Sequence, residues 1–194
     1  TLPEFPAGKP LFIFASHFHA DHYDPVIFGM GEKRENVFYI LSKEIGKKIP
    51  EEYRKRYKDR IRLVKAGERF CLNISEESLI VETFHSTDEG VAFWLSCEGK
   101  EIYHAGDLNN WWWEGEDMAW NRNMAASYKQ EMKKLSGRTA DLAFIPVDPR
   151  QEQWFYLGAT GFMEQADTKW IFPMHFWEDY TIIPKLIEHP SSEG

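Results

Sequence analysis

Ser16-His17-Phe18-His19-Ala20-Asp21-His22 follows directly on the apolar run Leu11-Phe12-Ile13-Phe14-Ala15. The run reads as a buried strand, and the polar stretch as the turn it delivers. In an extended or tightly turned segment His17 and His19 project the same way, while Asp21 and His22 sit at the following turn. Three imidazoles and a carboxylate therefore crowd into six positions. Such crowding of lone pairs becomes favourable around a cation, since water cannot satisfy each group separately at that density. The natural reading is two metal ions, one facing His17 and His19 and a second nearby facing Asp21 and His22.

Three further residues stand at strand ends. His85 closes Val81-Glu82-Thr83-Phe84, Asp107 follows Ile102-Tyr103-His104 and the small pair Ala105-Gly106, and His175 follows Trp170-Ile171-Phe172-Pro173-Met174. Alone, each has an ordinary reading: a surface histidine, a structural Gly-Asp turn and a satisfied core histidine. Gly106 lets the backbone turn close beneath a metal centre. A carboxylate between two cations lowers their mutual repulsion and sets their spacing.

Taken in order, HxHxDH after a strand, a lone histidine, Gly-Asp and a final histidine resemble the metallo-beta-lactamase superfamily. The resemblance implies one site of His17, His19 and His85, a second of Asp21, His22 and His175, and Asp107 shared between them. Asp88 is the alternative to His85, Asp21 and Asp107 are the catalytic carboxylates, and His104 is structural. Two divalent ions are implied, zinc first, with manganese or iron accepted by an oxygen-richer site. Ser86-Thr87-Asp88-Glu89-Gly90-Val91, His104-Ala105-Gly106-Asp107-Leu108-Asn109 and Phe172-Pro173-Met174-His175-Phe176-Trp177 also resemble a bacterial branch similar to the ascorbate-6-phosphate lactonase group. That likeness covers roughly residues 10 to 180.

The implied fold is α/β, an αββα sandwich in one domain over 1–194, with the N-terminal strands that open the family fold missing. Only about ten residues precede the first strand, and residue 1 is threonine, which suggests a trimmed chain. The implied activity is hydrolysis of an ester, lactone or phosphoester in a small molecule by a metal-bound hydroxide. Readings from other classes are a non-catalytic metal-binding or scaffold protein of the same fold and, less favoured, a nuclease.

Composition bounds these readings. A chain of 194 residues, 43% hydrophobic and 15% aromatic, suffices for one compact domain with a substantial core. A net charge of -8 argues against a nucleic-acid partner, which needs a basic face. The basic stretch from Lys43 to Arg62 reads as a solvated helix face. Cys71 and Cys97 form no CxxC pair and read as buried small hydrophobes. No apolar run reaches membrane-spanning length and no leader segment is evident, so the expected setting is cytoplasmic, with a homo-oligomer allowed.

Along the chain, Thr1 to Pro10 reads as irregular lead-in. Val37–Leu41 reads as a strand and 43–57 as a helix split by Pro50. Residues 61–64, 68–72, 79–84, 91–96 and 101–104 read as a sheet meander. A helix over 116–135 ended by Gly137, a strand over 141–147, a helix over 159–166, a strand over 169–172 and a helix over 182–188 complete the pattern. Phe18, Tyr23, Asn110, Trp112, Trp113, Trp154 and Phe176 lie close in sequence to ligands, as wall or as core. Asn109, Trp111, Arg150 and Trp177 are the candidates to meet a substrate, although three consecutive tryptophans cannot all face one cavity. Arg150 has an equally good reading as the ion-pair partner of Asp148 or Glu152.

Overall fold

A computed structural model describes residues 8–32, 34–74 and 77–192. Most of the lead-in, residues 1–7, lies outside the described residues. The chain divides into two compact units, Thr1–Lys65 and Ala66–Gly194, each built on its own sheet. Among the described residues no helix is long and apolar enough to cross a membrane.

The first unit is a three-stranded parallel sheet of β1 (Leu11–Ala15), β2 (Val37–Ser42) and β3 (Ile61–Val64), in that order. Parallel neighbours need crossovers. These are a 3-10 turn over Pro25–Phe28 running into α1 (Gly29–Glu32), then a second 3-10 turn over Lys43–Lys47 and α2 (Glu51–Arg56). Pro50 stands immediately before α2, so the expected split falls where proline removes a helical donor. Ile61–Val64 does not open the meander as expected. It pairs with β2 in parallel, because the crossover through α2 returns it to the first sheet. β1 also differs from expectation: Leu11 to Phe14 are only half-buried, because β1 occupies a sheet edge, whereas central β2 is buried on both faces. Under the sheet, Phe28 stacks on Tyr53 at 4.9 Å and lies 4.7 Å from Tyr39. Burial, with Tyr57 alongside, pushes the Tyr39 hydroxyl up to about 12. A Cβ at Gly31 would sit 2.5 Å from that hydroxyl oxygen, so glycine is what lets α1 approach.

The second unit is a six-stranded sheet in sequential order: β4 (Arg69–Ile74), β5 (Glu77–His85), β6 (Val91–Cys97), β7 (Lys100–His104), β8 (Thr139–Pro146) and β9 (Asp167–Met174). β4 to β7 are an antiparallel meander, and Glu98-Gly99 turn β6 into β7 with φ of 50° and 72°. Both residues at positive φ are what a two-residue hairpin needs to match strand twist. β8 and β9 run parallel to β7. The returns are made by α3 (Met118–Met132), a 3-10 turn to Leu135, and α4 (Leu157–Met163); α5 (Ile182–Ile187) follows β9. Asp117 caps α3 by accepting the Ala119 amide at 2.6 Å. Helix and sheet meet through Tyr103, whose ring stacks on Phe162 at 4.9 Å, and through buried Met132 and Leu135. The cysteines are not core: Cys71 is exposed on edge strand β4 and Cys97 is half-buried at the hairpin, where strand ends leave the helix-covered face.

Asp141 ties three strands together. Its carboxylate accepts Lys169 Nζ of β9 at 2.7 Å and the Glu101 amide of β7 at 3.0 Å, and Lys100 Nζ lies 3.6 Å away. The Lys169 bond first, then the amide, hold its pKa down at about 2. A carboxyl depressed by folding adds stability above its unfolded value of about 3.9 and loses it as pH falls through the folded value. Thermal melts from pH 5 to 2 are therefore expected to fall more steeply in this window for the wild type than for Asp141→Asn. Identical acid limbs would remove this role.

The parallel register sets up the chemistry. His104, Phe144 and Phe172 are aligned across β7, β8 and β9. Three residues further along each strand come Asp107, Val147 and His175, so the segments leaving these three strands emerge at one edge.

Candidate metal centre

In the first unit, the turn after β1 closes on itself, with the amides of His22 and Tyr23 both donating to the His19 carbonyl at 2.9 and 2.8 Å. That closure gathers the side chains. His17, Asp21 and His22 each offer a ligand atom, and these atoms lie within 4.8 Å of one another. His17 Nε2 is 3.1 Å from His19 Nδ1, and His22 Nε2 is 3.3 Å from Asp21 Oδ2. Ser16 Oγ lies 3.1 Å from His17 Nδ1 and 3.4 Å from His22 Nδ1. A serine hydroxyl that engages both Nδ1 atoms turns both Nε2 atoms to other uses, and Ser16 is a supporting residue that pattern reading passes over. Imidazole nitrogens and a carboxylate at these distances are donors that could hold a divalent transition metal ion.

In the second unit, Asp107 and His175 come together. His175 Nε2 is 3.6 Å from Asp107 Oδ1, and its Nδ1 is 2.8 Å from Asp148 Oδ2. A carboxylate can only accept, so His175 Nδ1–H donates to Asp148, and Nε2 is the ring atom left facing Asp107. A proton or a metal ion between these two atoms suits that arrangement. The carboxylate–imidazole pairing on the far nitrogen is the usual support of a metal-binding histidine. These donors fit a divalent ion. Burial opposes ionisation of Asp148, but hydrogen bonds from His175 and Arg150 hold it ionised, well below the usual carboxylate range. The Asp148–Arg150 ion pair is the alternative reading of Arg150, with Nη2 to Oδ2 at 2.5 Å. Asp148 itself is legible in the sequence only as an ion-pair partner. Its strand-end position, like that of Asp107, is the available signal.

His85 ends β5 with its amide donating to Glu131 of α3 at 3.2 Å and its Nδ1 2.5 Å from the Ser86 carbonyl. A carbonyl can only accept, so Nδ1 donates there, and the ring is exposed. Among the described residues, neither His85 nor Asp88 joins two other ligand-type side chains within coordinating reach. His104 is structural, accepting the Gly106 amide at 3.1 Å and so bracing the turn that carries Asp107.

The tryptophan run divides between two sides. Trp111 and Trp113 stack at 5.8 Å, while Trp112 turns away to Trp154 at 5.3 Å. Trp111 is buried, donates Nε1 to the Asp107 carbonyl at 2.9 Å and meets the His175 ring edge-on at 5.4 Å. It therefore braces both Asp107 and His175. Asn109 is also fully buried, donating to Gln151 at 2.9 Å. Of the four residues expected to meet a substrate, Arg150 and Trp177 are the exposed ones.

No protein-family model matches the chain, and no curated protein matches it. Solved structures do. One is YhfI of Bacillus subtilis, a metallo-beta-lactamase fold protein, at 10% identity and a TM-score of 0.52, over 90% of this chain and 68% of that one. Another is CmlA of Streptomyces venezuelae, a diiron beta-hydroxylase, at 11% identity and a TM-score of 0.50, over 84% of this chain and 35% of that one. The chain thus spans about a third of the length of CmlA and about two thirds of YhfI. With its mixed α/β architecture, its two sheets and this likeness, the chain has the metallo-beta-lactamase fold.

Proposed function

We propose that this protein is a metal-dependent hydrolase that cleaves an ester, lactone or phosphoester in a small molecule. His17, His19, Asp21, His22, Asp107 and His175 would hold two divalent ions, zinc first, with His85 as the outlying ligand. The observation that carries the reading is the packing of His17, Asp21 and His22 ligand atoms within 4.8 Å of one another on a turn closed by its own backbone. The order of the remaining motif residues along the chain supports adding Asp107 and His175 to the same centre. Bound there, such ions would acidify a water near neutral pH and polarise the bond to be cut.

The chain's own residues have separable tasks in this reading. Ser16 orients His17 and His22, and Asp148 sets the tautomer of His175. Trp111 fixes the carbonyl of Asp107 and shields the His175 ring. Fold alone does not choose the reaction, as a hydroxylase with this likeness shows. The choice of hydrolysis rests on the motif.

Elemental analysis of the purified protein, followed by a screen of ester, lactone and phosphodiester substrates with and without chelator, tests the reading. Two equivalents of metal and chelator-sensitive turnover are expected. Bound metal with no turnover would leave a metal-binding protein, and absence of metal would end both readings. Salt-sensitive RNA cleavage would restore a nuclease, against which the net charge of -8 now weighs. Asp148→Asn keeps the shape but can present an amide N–H to His175. It is expected to weaken metal affinity by about 10–100-fold, read by competition with a chromogenic chelator. Unchanged affinity would make Asp148 a partner of Arg150 alone.

A further inference from the structure

Arg150 combines exposure with unusually firm anchoring. Its side chain is 53% exposed, yet its Nε lies 2.9 and 3.0 Å from the two oxygens of fully buried Asp148, with Nη2 at 2.5 Å. Its guanidinium carbon lies 4.7 Å from the centre of the Trp177 ring and 5.8 Å from that of Trp113. An exposed arginine ordinarily keeps most of its rotamer freedom. Here the fork and two indole faces hold a planar cation in one orientation before any ligand arrives.

The backbone points to the same place. Trp177 and Glu178 lie at φ of 48° and 65°, and Glu152, two residues beyond Arg150, lies at 53°. A bulky side chain in the left-handed region is strained, and strain of this kind collects at functional segments. His175, at φ 65°, has a ligand's reason to be held there. Trp177 has no ligand atom to offer a metal. What its conformation achieves is an indole ring, 53% exposed, laid beside the guanidinium, with Nε1 3.3 Å from Asp148 Oδ2.

We propose that Arg150, clamped by Asp148 and flanked by Trp177 and Trp113, is a subsite for a carboxylate group of the substrate, whose planar or apolar body lies against Trp177. The inference deepens the hydrolase reading, since the occupant is its substrate. The charge of Arg150 is already matched by Asp148, so the pair suits a singly charged, planar carboxylate better than a dianionic phosphoryl group. Both oxyanions share the chemistry that guanidinium recognises. Asp148 connects the subsite to His175 through its 2.8 Å contact, which would place a seated carboxylate close to the reacting end of the molecule.

Calorimetric titration of the full chain with benzoate, and separately with inorganic phosphate, tests this in metal-replete and chelator-treated protein. Benzoate is expected to bind with or without metal, and Arg150→Gln is expected to weaken it about tenfold or more, the scale of a lost hydrogen bond to a charged group. Arg150→Lys, which keeps charge but not the fork, should weaken it severalfold. Trp177→Leu leaves the clamp intact and should also weaken it severalfold, which covers the case in which Arg150→Gln misfolds. Benzoate affinity equal to that of the wild type in both Trp177→Leu and a folded Arg150→Gln overturns the proposal. Phosphate that binds more tightly than benzoate in an Arg150-dependent way overturns the carboxylate assignment. Metal content is measured on every sample, so the two ideas can fail separately. Arg150-dependent benzoate binding by a chain that takes up no metal even when metal is supplied keeps the subsite and sinks the hydrolase, whereas metal and turnover with no such binding sinks the subsite alone.

Discussion

Asp107→Ala is expected to leave the protein folded, to strip it of most of its metal and to lower hydrolytic turnover by about three orders of magnitude. The size comes from several kcal/mol of charge stabilisation supplied by a bound ion, at a factor of ten per 1.4 kcal/mol. Folding should survive because the bonds that Asp107 makes to its surroundings through the main chain persist in alanine. Its carbonyl accepts Trp111 Nε1 at 2.9 Å and Thr87 Oγ1 at 3.3 Å. Metal content by mass spectrometry, read beside turnover and a thermal melt, separates the outcomes. A variant with full metal and full rate would leave Asp107 as a turn residue and remove the main support for a shared carboxylate.

Gly158→Ala should be the most damaging single methyl in the second unit. Gly158 lies in the first turn of α4, and a Cβ there would overlap the Oδ1 atom of Asn109. Asn109 has nowhere to go: it is fully buried, its Nδ2 donates to Gln151 Oε1 at 2.9 Å, and its main chain is gripped by Thr87 Oγ1 at 2.6 and 3.0 Å. The Gly158 carbonyl is in turn held by the Tyr128 hydroxyl at 2.5 Å, so the helix cannot slide away either. Overpacking and the loss of a buried hydrogen bond together cost about 3 kcal/mol. For a chain of this size that lowers the melting temperature by roughly 6–12 °C. The cause is checked by a double-mutant cycle with Asn109→Ala, which removes the obstructing oxygen. The methyl should then cost much less, and an unchanged penalty would show that the clash is not its origin.

Asn109 also shows where sequence reading stops. Its neighbours mark it as a residue near the ligands, and nothing in Leu108-Asn109-Asn110 reveals that its side chain fills the space above a glycine 49 positions later. Trp111 is similar: alternation along an extended run predicts that three tryptophans divide between two sides, but which of them braces Asp107 depends on the fold around it. Sequence pattern assigns Ile61–Val64 to the wrong sheet because strand content is local, whereas partner choice is decided by the crossover that precedes it.

What the chain determines locally is considerable. The apolar run Leu11–Ala15 and the close spacing of His17, His19, Asp21 and His22 suffice for a strand that ends in a ligand turn, because both depend on neighbours a few residues apart. The helix break at Pro50 and the turn glycines at 99 and 137 are legible for the same reason. The meeting of Asp107, Asp148 and His175 is different. It arises because β7, β8 and β9 are parallel neighbours in register, so that residues far apart in the chain emerge at one sheet edge. Hydrogen bonding between strands, which no stretch of sequence carries by itself, decided that Asp148 would grip His175 as well as its near neighbour Arg150.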